Sequence, residues 1–484
     1  MSMWTFLKKH MEENPDSVLA CEEETLSYTQ VIKKVETAAA ALKKISPNKL
    51  RCAVYCNREM NAALAVLTGF CADFVPIPLS PCYGEKHNRK ILGLTQPDLI
   101  LTDNPKNPWL QSLGIPLFHP PAAKLTGCLT ERRREPEMEE IAMILCTSGT
   151  GGEAKGAMLT ESGLIANVQD IAEYFEVDSS DRILIARPLY HCAVLTGEFL
   201  LALYRGLQIY FYDGSFNPAA VLACAQQLHA TVLCGTPTLF RHLSIYKNKR
   251  NPELVLRAAA ISGECLSVDT AKKIREAFPF VDFYHVYGLT EASPRVSALP
   301  PALFDTCPTA VGFPLRSVSV RIADASGREL PGGETGRLWV RGPNTMKGYY
   351  RDTKRTAAVL RDGWLDTGDL AYIDLSGMIH LRGRADDMLI KAGMNIYPAE
   401  IEAALKESSM IEAAFAYGYP SESGLRIAVK AVLAKKWKTA SLRSVVAECA
   451  RLLPKYQMPD EVYIVQSLPV NASGKMKRNK QFEE

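Results

Sequence analysis

The sequence lacks the features of an exported or membrane-spanning protein. Its 13 cysteines are an odd number and include no CxxC pair, so neither a disulfide framework nor a structural zinc site is indicated. Residues 1–16 carry lysines and glutamates within an apolar pattern, which predicts a docked surface helix rather than a signal peptide. No apolar run reaches the roughly 20 residues that cross a bilayer. We therefore expect a cytoplasmic protein without membrane insertion.

An excess of charge of one sign is also missing. The chain has 56 basic and 53 acidic residues among 484, which gives a formal charge of +3. This balance offers little attraction for nucleic acid or an anionic membrane surface, and we expect neither as the main partner. A small anionic ligand needs only a local patch of positive charge, so that class of partner is compatible with the composition.

From about residue 50 to about residue 290, short apolar runs alternate with segments of helical period. The clearest pairs of strand and helix are 52–55 with 62–70, 182–186 with 197–204, and 208–212 with 218–228. Such alternation is typical of βαβ units, in which helices cover mainly parallel sheets. The sequence therefore predicts an α/β fold class, with two mainly parallel α/β subdomains over about 1–310.

The remaining chain has a different pattern. Residues 311–384 consist of short strand-like runs separated by Gly, Pro and Asp turns, which predicts a small β-barrel completing a large domain over 1–384. Residues 387–484 combine a strand-like run at 388–391 with a helical segment at 399–406, which predicts a small α+β domain.

The segment with the clearest chemistry is 147–156, which reads TSGTGGEAKG between the apolar run 141–146 and a helix predicted to begin near Thr160. Glycines let backbone N–H groups approach an anion, hydroxyls donate further hydrogen bonds, and Lys155 supplies positive charge. The segment therefore predicts a phosphate-binding loop. Its predicted binding residues are Thr147, Ser148, Gly149, Thr150, Gly151, Gly152 and Lys155.

Two other nucleotide-binding patterns fit this segment less well. Its spacing does not match the GxxxxGK[ST] of P-loop enzymes. Gly149, Gly151 and Ala154 satisfy the short GxGxxA pattern of dinucleotide-binding turns, but that pattern explains neither the hydroxyls nor the lysine. Such a turn also needs an acidic residue at a strand end about twenty residues further on, and none is found there. The dinucleotide alternative is therefore disfavoured.

The loop and many other segments resemble the adenylate-forming superfamily, which includes acyl- and aryl-CoA synthetases, peptide-synthetase adenylation domains and firefly luciferase. The similar segments keep their order over almost the whole chain: TLSY 25–28, FVPI 74–77, the loop itself, PLYH 188–191, YGLTE 287–291, GETGRL 333–338, GWLDTGD 363–369, GRADD 383–387, NIYPAE 395–400 and SGK 473–475. The loop departs from the family at Gly151, commonly Thr, and at Ala154, commonly Pro, but keeps the lysine.

The resemblance implies a site for ATP and AMP. Tyr287 would stack on adenine, and Asp369 would accept both ribose hydroxyls. His285 stands where the family usually has Asn, Gln or Asp, and its neutral imidazole could accept a hydrogen bond from the adenine amino group. The predicted nucleotide site is completed by Gly263, Glu264 and Arg384.

The resemblance also implies the catalytic residues and a domain movement. Lys475 would bridge the attacking carboxylate and the α-phosphate, Thr290 would contact phosphate, and Glu291 would hold the Mg²⁺ that accompanies ATP. The small C-terminal domain would turn about a hinge at 385–386, centred on Asp386. After that movement the loop at Gly393 would line the channel for a phosphopantetheine thiol.

By position in the family, one set of residues lines the acyl pocket. These residues are His191, Cys192, Cys234, Ser262, Val286, Gly288 and Ser293. Peptide-synthetase domains place an Asp near 188–191 to pair the substrate ammonium, whereas this chain has no carboxylate there. We therefore expect the substrate to be a small-molecule, non-amino carboxylic acid, aryl or aliphatic.

The acceptor of the acyl group has two candidates. Residues 395–402 resemble the acyl-CoA synthetase version of the motif, which favours coenzyme A as the acceptor. The alternative is the phosphopantetheine of a separate acyl- or aryl-carrier protein. From another class of function, a noncatalytic adenylate-binding relative is disfavoured because Lys475, Glu291 and Asp369 are all present.

Overall fold

The N-terminal segment packs on the body of the protein in a computed structural model that describes residues 1–129, 138–148, 154–214, 217–250, 253–324, 326–391, 394–421 and 424–468. Helix α1 (Met3–Glu13) buries Met3, Leu7 and Met11 completely, which confirms the predicted docked helix. It is followed by β1 (Val18–Ala20), β2 (Thr25–Ser27) and α2 (Tyr28–Ile45).

The first α/β layer forms a five-stranded sheet in the order β4-β3-β5-β6-β7, parallel except for the last pair. The apolar residues of its strands β3, β5 and β6 are buried, as expected for a sheet covered on both faces. The elements are β3 (Arg51–Val54), α3 (Glu59–Cys71), β4 (Val75–Pro78), α4 (Gly84–Thr95), β5 (Leu99–Leu101), α5 (Pro108–Gln111), β6 (Leu117–His119) and β7 (Lys124–Thr126).

A hairpin then links the two α/β layers. Its strands are β8 (Ile141–Ser148) and β9 (Ala154–Thr160), which pair antiparallel with Thr147 opposite Lys155. Helix α6 (Glu161–Tyr174) follows, capped by the Thr160 side chain, which accepts from the Gly163 amide. The helix starts where the sequence predicted, but Lys155 lies in a strand and not in a loop leading directly into the helix.

The second α/β layer is a nine-stranded sheet in the order β16-β15-β14-β13-β12-β10-β11-β1-β2. The six inner strands from β14 to β1 run parallel, and β2, β15 and β16 are antiparallel to their neighbours. The elements are β10 (Arg182–Ile185), α7 (Cys192–Val194), a π-helical segment (Leu195–Leu200), α8 (Leu201–Arg205), β11 (Gln208–Phe211), α9 (Pro218–Gln227), β12 (Val232–Leu233), α10 (Pro237–Arg250), β13 (Ala258–Ile261), α11 (Val268–Ala277), β14 (Asp282–Gly288), β15 (Arg295–Leu299) and β16 (Phe313–Pro314).

The segment predicted as a small β-barrel forms a five-stranded antiparallel sheet. Its strand β19 is the exception and pairs with β9 of the hairpin, which ties the two parts together. The elements are β17 (Ser319–Ala323), β18 (Gly336–Arg341), β19 (Gly348–Tyr349), α12 (Thr353–Val359), β20 (Leu360–Arg361), β21 (Trp364–Ile373) and β22 (Ile379–Arg384).

The C-terminal unit follows a short 3₁₀ turn, Ala385–Asp387, which contains the predicted hinge residue Asp386. It has its own hydrophobic core, and its main sheet is β25-β26-β27. The elements are β23 (Leu389–Lys391), β24 (Met394–Ile396), α13 (Pro398–Lys406), β25 (Ile411–Ser421), β26 (Gly424–Leu433), α14 (Leu442–Leu452) and β27 (Glu461–Ile464). The predicted α/β fold class with a small α+β unit is confirmed. Among the described helices, none combines the length and apolarity needed to cross a membrane.

Candidate active site

The candidate site lies at one edge of the nine-stranded sheet. Strands β12, β13 and β14 are parallel, so their carboxyl ends meet at the same edge, which is where ligands bind in open α/β sheets. Cys234 follows β12, and Ser262 follows β13. The Ser262 amide donates to the Gly235 carbonyl at 2.9 Å, which brings these two strand ends together. Sequence-predicted residues distant along the chain therefore converge here.

Tyr287, Asp369 and Arg384 form one polar cluster. The Tyr287 hydroxyl donates to Asp369 Oδ2 at 2.5 Å, and Arg384 donates to Asp369 Oδ1 at 3.0 Å. Asp369 and Arg384 are direct partners in the β21–β22 pair, so the sheet fixes their distance. Burial raises the pKa of Tyr287 well above its usual value, and the charge of Asp369 raises it further, so the phenol stays a hydrogen-bond donor. Each carboxylate oxygen keeps a second lone pair with which to accept a ribose hydroxyl.

Glu291 and Lys155 lie on either side of Tyr349. Glu291 stands on the 3₁₀ turn Thr290–Ala292, and its Oε1 accepts a hydrogen bond from the Tyr349 hydroxyl at 2.8 Å. Lys155 Nζ lies 5.2 Å from the centre of the Tyr349 ring, within the range of a cation–π contact. Because Mg²⁺ in phosphate sites is held by one or two carboxylates plus substrate oxygens, a single carboxylate at Glu291 fits that ion.

His285 is buried beside the same strand end. Its Nδ1 lies 2.9 Å from the carbonyl oxygens of Pro308 and Ala310, so Nδ1 is the protonated nitrogen in a neutral ring. Burial lowers the pKa of His285 to about 4, against the opposing effect of the two carbonyls. Nε2 is then an unprotonated acceptor, as the proposed contact with the adenine amino group requires. That contact stays a prediction.

Gly263 and Glu264 continue the edge after β13. Gly263 has a φ of 90°, a conformation that favours glycine. Glu264 accepts from the amide and the hydroxyl of Thr238, at 3.2 and 2.6 Å. Their predicted contact with the nucleotide stays a prediction.

The phosphate-binding segment joins β8 to β9. Thr147 lies in β8, and Ser148 is its last residue. Six predicted site residues lie outside the described residues: Gly149, Thr150, Gly151, Gly152, Gly393 and Lys475. The antiparallel hairpin argues further against the dinucleotide alternative, since that turn belongs to a parallel βαβ unit.

The predicted acyl-pocket residues are mostly buried. Cys192, Cys234, Ser262 and Ser293 are at most 6% exposed, and Val286 is 2% exposed. Burial raises the pKa of both Cys192 and Cys234 to about 12, so both thiols are neutral. A side chain at Gly288 would collide with the Pro294 carbonyl, since an ideal Cβ would lie 1.9 Å from that oxygen. His191 immediately precedes α7, with its ring centre 4.3 Å from that of Tyr190.

Sequence reasoning missed four residues around this site. Glu198 is completely buried and forms an ion pair with Arg187 at 2.5 Å, and both act electrostatically on Cys234. Arg295 is 2% exposed at the start of β15. Tyr349 supports Glu291. The one usable signal was Arg295, a charged residue at the start of the otherwise uncharged run 295–299.

Comparison with known proteins places this geometry in a family. A family model described as AMP-binding enzyme matches residues 7–350, and one described as AMP-binding enzyme C-terminal domain matches residues 400–475. Feruloyl-CoA synthase from an Amycolatopsis species is 33% identical over 362 residues, covering 74% of this chain and 73% of that protein. Indoleacetate–CoA ligase from Aromatoleum aromaticum is 28% identical, covering 99% of this chain and 97% of that protein.

Solved structures agree. O-succinylbenzoate CoA synthetase from Bacillus subtilis, bound to its acyl-adenylate intermediate, superposes with a TM-score of 0.88 at 25% identity. That comparison covers 100% of this chain and 98% of the other. The same enzyme bound to ATP and magnesium superposes with a TM-score of 0.86 at 25% identity, covering 99% of each chain. The chain therefore belongs to the AMP-binding enzyme family, within the adenylate-forming superfamily, and is an enzyme of the AMP-forming acid–thiol ligase type.

Proposed function

We propose that this enzyme uses ATP and Mg²⁺ to convert a non-amino carboxylic acid to an acyl-adenylate with release of pyrophosphate, and then transfers the acyl group to the thiol of coenzyme A. The observation that carries the proposal is the convergence of Tyr287, Asp369 and Arg384 with Glu291 at the edge that also holds the acyl-pocket residues. A nucleotide bound by this polar cluster would lie next to a carboxylic acid bound by the acyl-pocket residues.

In the first half-reaction, Asp369 holds the ribose and Glu291 holds the Mg²⁺, while Lys155 faces the phosphates. The carboxylate oxygen attacks the α-phosphorus, the bond to the pyrophosphate oxygen breaks, and Lys475 stabilises the negative charge of the transition state. In the second half-reaction, the thiol sulfur attacks the acyl carbon, AMP leaves, and the proton of the thiol is released.

A non-amino substrate is supported by the residues around the pocket. Segment 188–191 has no carboxylate, and Glu198, which sequence reasoning overlooked, already forms an ion pair with Arg187. Coenzyme A as the acceptor is supported by the relatives, whose names specify CoA products: feruloyl-CoA, indoleacetate–CoA and long-chain-fatty-acid–CoA. A separate carrier protein is the second candidate, because its phosphopantetheine arm ends in the same thiol.

The first test is carboxylate-dependent exchange of labelled pyrophosphate into ATP. A panel of ferulate, indoleacetate, benzoate and fatty acids of increasing length is expected to give exchange with at least one acid. Thioester formation is then measured with coenzyme A and with a phosphopantetheine-loaded carrier protein in parallel. Absence of exchange with every acid would refute adenylate formation, and thioester on the carrier alone would replace coenzyme A as the acceptor.

The variant Gly393→Leu separates the two half-reactions. A leucine side chain would fill the thiol channel that we propose at this loop, so thioester formation is lost while pyrophosphate exchange is kept. The matched control is Gly474→Leu, next to Lys475 in the sequence, which is expected to impair exchange instead. Equal loss of both half-reactions in Gly393→Leu would contradict the proposed channel.

A further inference from the structure

Arg295 is a buried cation that has no carboxylate partner among the residues described by the structure. Its side chain is 2% exposed and ranks first by volume among the fully buried side chains of the described chain. Within the residues that the structure describes, no carboxylate forms an ion pair with it, and its Nε has no hydrogen-bond partner. Burying an unpaired charge is costly, and a buried cation therefore calls for an anion.

The fold holds Arg295 firmly in this position. The Arg295 amide donates to the side chain of Asn167 at 3.1 Å, and the Asn167 side chain donates back to the Arg295 carbonyl at 2.9 Å. Asn344 donates to the same carbonyl at 2.9 Å. Both asparagines are completely buried. These contacts fix the backbone from which the guanidinium extends.

The side chain extends toward the predicted acyl pocket. Arg295 pairs with Gly288 across the β14–β15 pair, at the register shift that follows Tyr287. Its guanidinium lies against Gly197 in the π-helical segment, where an ideal Cβ would be 2.8 Å from Nη2. Burial raises the pKa of Cys192 and Cys234, and the charge of Arg295 opposes both shifts, which places it near both thiols.

Arg295 also reaches the part of this region that contains Tyr174 and Tyr284. Burial raises the pKa of Tyr174, whereas the charge of Arg295 and its hydrogen bond to the Tyr174 side chain lower it, so the guanidinium lies beside that hydroxyl. The Tyr174 ring lies 5.9 Å from that of Tyr284, which precedes Gly288 by four residues on β14, about 13 Å along a strand. The guanidinium therefore lies beside Gly197 and Tyr174.

The local charge is unbalanced. Glu198 and Arg187 form an ion pair with each other, and no carboxylate among the described residues forms one with Arg295. Glu291 also acts electrostatically on the Cys192 thiol, and it accepts a hydrogen bond from the Tyr349 hydroxyl. A ligand that places one negative charge next to the Arg295 guanidinium would complete an ion pair with it.

We propose that the substrate is a dicarboxylic acid, whose first carboxylate is activated at the nucleotide end and whose second carboxylate pairs with Arg295. This inference rests on the proposed function and narrows its substrate class. A guanidinium binds a carboxylate through two parallel N–H···O bonds, so Arg295 selects both the charge and the position of the far group.

The test compares matched acids in the pyrophosphate exchange assay: hexanoate with adipate, octanoate with suberate, and benzoate with terephthalate. The protein is expected to prefer the dicarboxylate in at least one pair. In Arg295→Met the preference for the dicarboxylate is expected to fall about 10- to 100-fold, which corresponds to the loss of a charge-assisted hydrogen bond. The kcat/KM for the matched monocarboxylate is expected to be kept or raised. Arg295→Lys, which keeps the charge but loses the bidentate geometry, is expected to recover part of the preference.

The control is Arg316→Met. Arg316 has a 77% exposed side chain and pairs with Glu173 at the surface, so its removal leaves the preference unchanged. If Arg295→Met does not fold, thermal unfolding of the unaltered protein with ATP replaces it: adipate, suberate or terephthalate raises Tm more than its monocarboxylate partner. Exchange in which the monocarboxylate is preferred in every pair overturns the dicarboxylate proposal and leaves adenylate formation intact. Absence of exchange with every acid refutes adenylate formation itself.

Discussion

The nucleotide side and the acyl side of the site differ in how their buried polar groups are satisfied. On the nucleotide side, Asp369 binds both Tyr287 and Arg384, and Glu291 binds Tyr349. On the acyl side, Arg295 Nε and Ser262 Oγ are buried without a hydrogen-bond partner among the described residues. Because unsatisfied buried groups cost free energy, the protein itself preorganises the first side, and we propose that a ligand completes the second.

The difference has a functional meaning. A preorganised nucleotide side can treat every substrate alike, since ATP is common to all the reactions of this family. An unsatisfied acyl side discriminates, because a substrate that lacks the complementary group leaves the buried polar group unpaired. Variants on the nucleotide side are therefore expected to change the KM for ATP, and variants on the acyl side the KM for the carboxylic acid.

The largest effect is expected for Lys475, the residue proposed to bridge the carboxylate and the α-phosphate. Lys475→Ala should slow pyrophosphate exchange about 10²- to 10³-fold, because a cation that stabilises the transition state is lost. The factor should be the same for every carboxylate, and ATP affinity measured by titration should be unchanged. Lys477→Ala, two residues away, serves as the control. Normal exchange in Lys475→Ala would remove that residue from the reaction.

Asp369→Asn should weaken the nucleotide side alone. Losing the charged acceptor of two hydrogen bonds should raise the KM for ATP about 10- to 100-fold, and the order of preference among carboxylates should stay as it was. The matched control is Asp362→Asn, at an exposed residue in the turn between β20 and β21. Calorimetry of ATP binding decides the outcome, and unchanged affinity would contradict the ribose assignment.

Gly197→Ala should disturb the acyl side alone. The added methyl group would lie 2.8 Å from Arg295 Nη2, so the guanidinium must shift. A cost of about 1 kcal/mol corresponds to roughly a fivefold rise in KM for the acid. Gly93→Ala in α4 has open space around it and should change neither constant. A change in the KM for ATP equal to that for the acid would show that the two sides are not independent.

His285 should have the smallest effect on activity at neutral pH, where its ring is neutral in both the folded and unfolded protein. Its folded pKa of about 4 lies below the unfolded value of about 6.5, so the unfolded state binds the extra proton between these values. The contribution of His285 to the free energy of unfolding therefore has its full value above about pH 6.5. It falls as the pH drops toward 4, by up to about 1.4 kcal/mol per pH unit. His285→Gln cannot take up this proton. The denaturant midpoint of its unfolding should therefore change less with pH over that range than the midpoint of the unaltered protein.

The sequence predicted the elements well and the pairing of some of them less well. Hydrophobic period and turn residues located β3, α3, β10 and β11 to within a few residues, because local pattern decides where a strand or helix forms. The β8–β9 hairpin was not predicted. Nothing in the segment around Lys155 distinguishes a loop before a helix from a strand that returns along its neighbour, since that choice depends on the partner strands β8 and β19.

The site residues were also predictable from the sequence only in part. The motifs by themselves determined the family, the predicted phosphate-binding loop, and the identity of Asp369, Glu291 and Lys475 as candidates, because these residues stand in motifs that resemble those of the family in the same order along the chain. Only the tertiary structure decided which buried groups have partners: Tyr349 for Glu291, Arg187 for Glu198, and no carboxylate among the described residues for Arg295. Pairing depends on side chains that are distant in sequence and meet at a strand end, and the free energy of a buried charge is set by those neighbours.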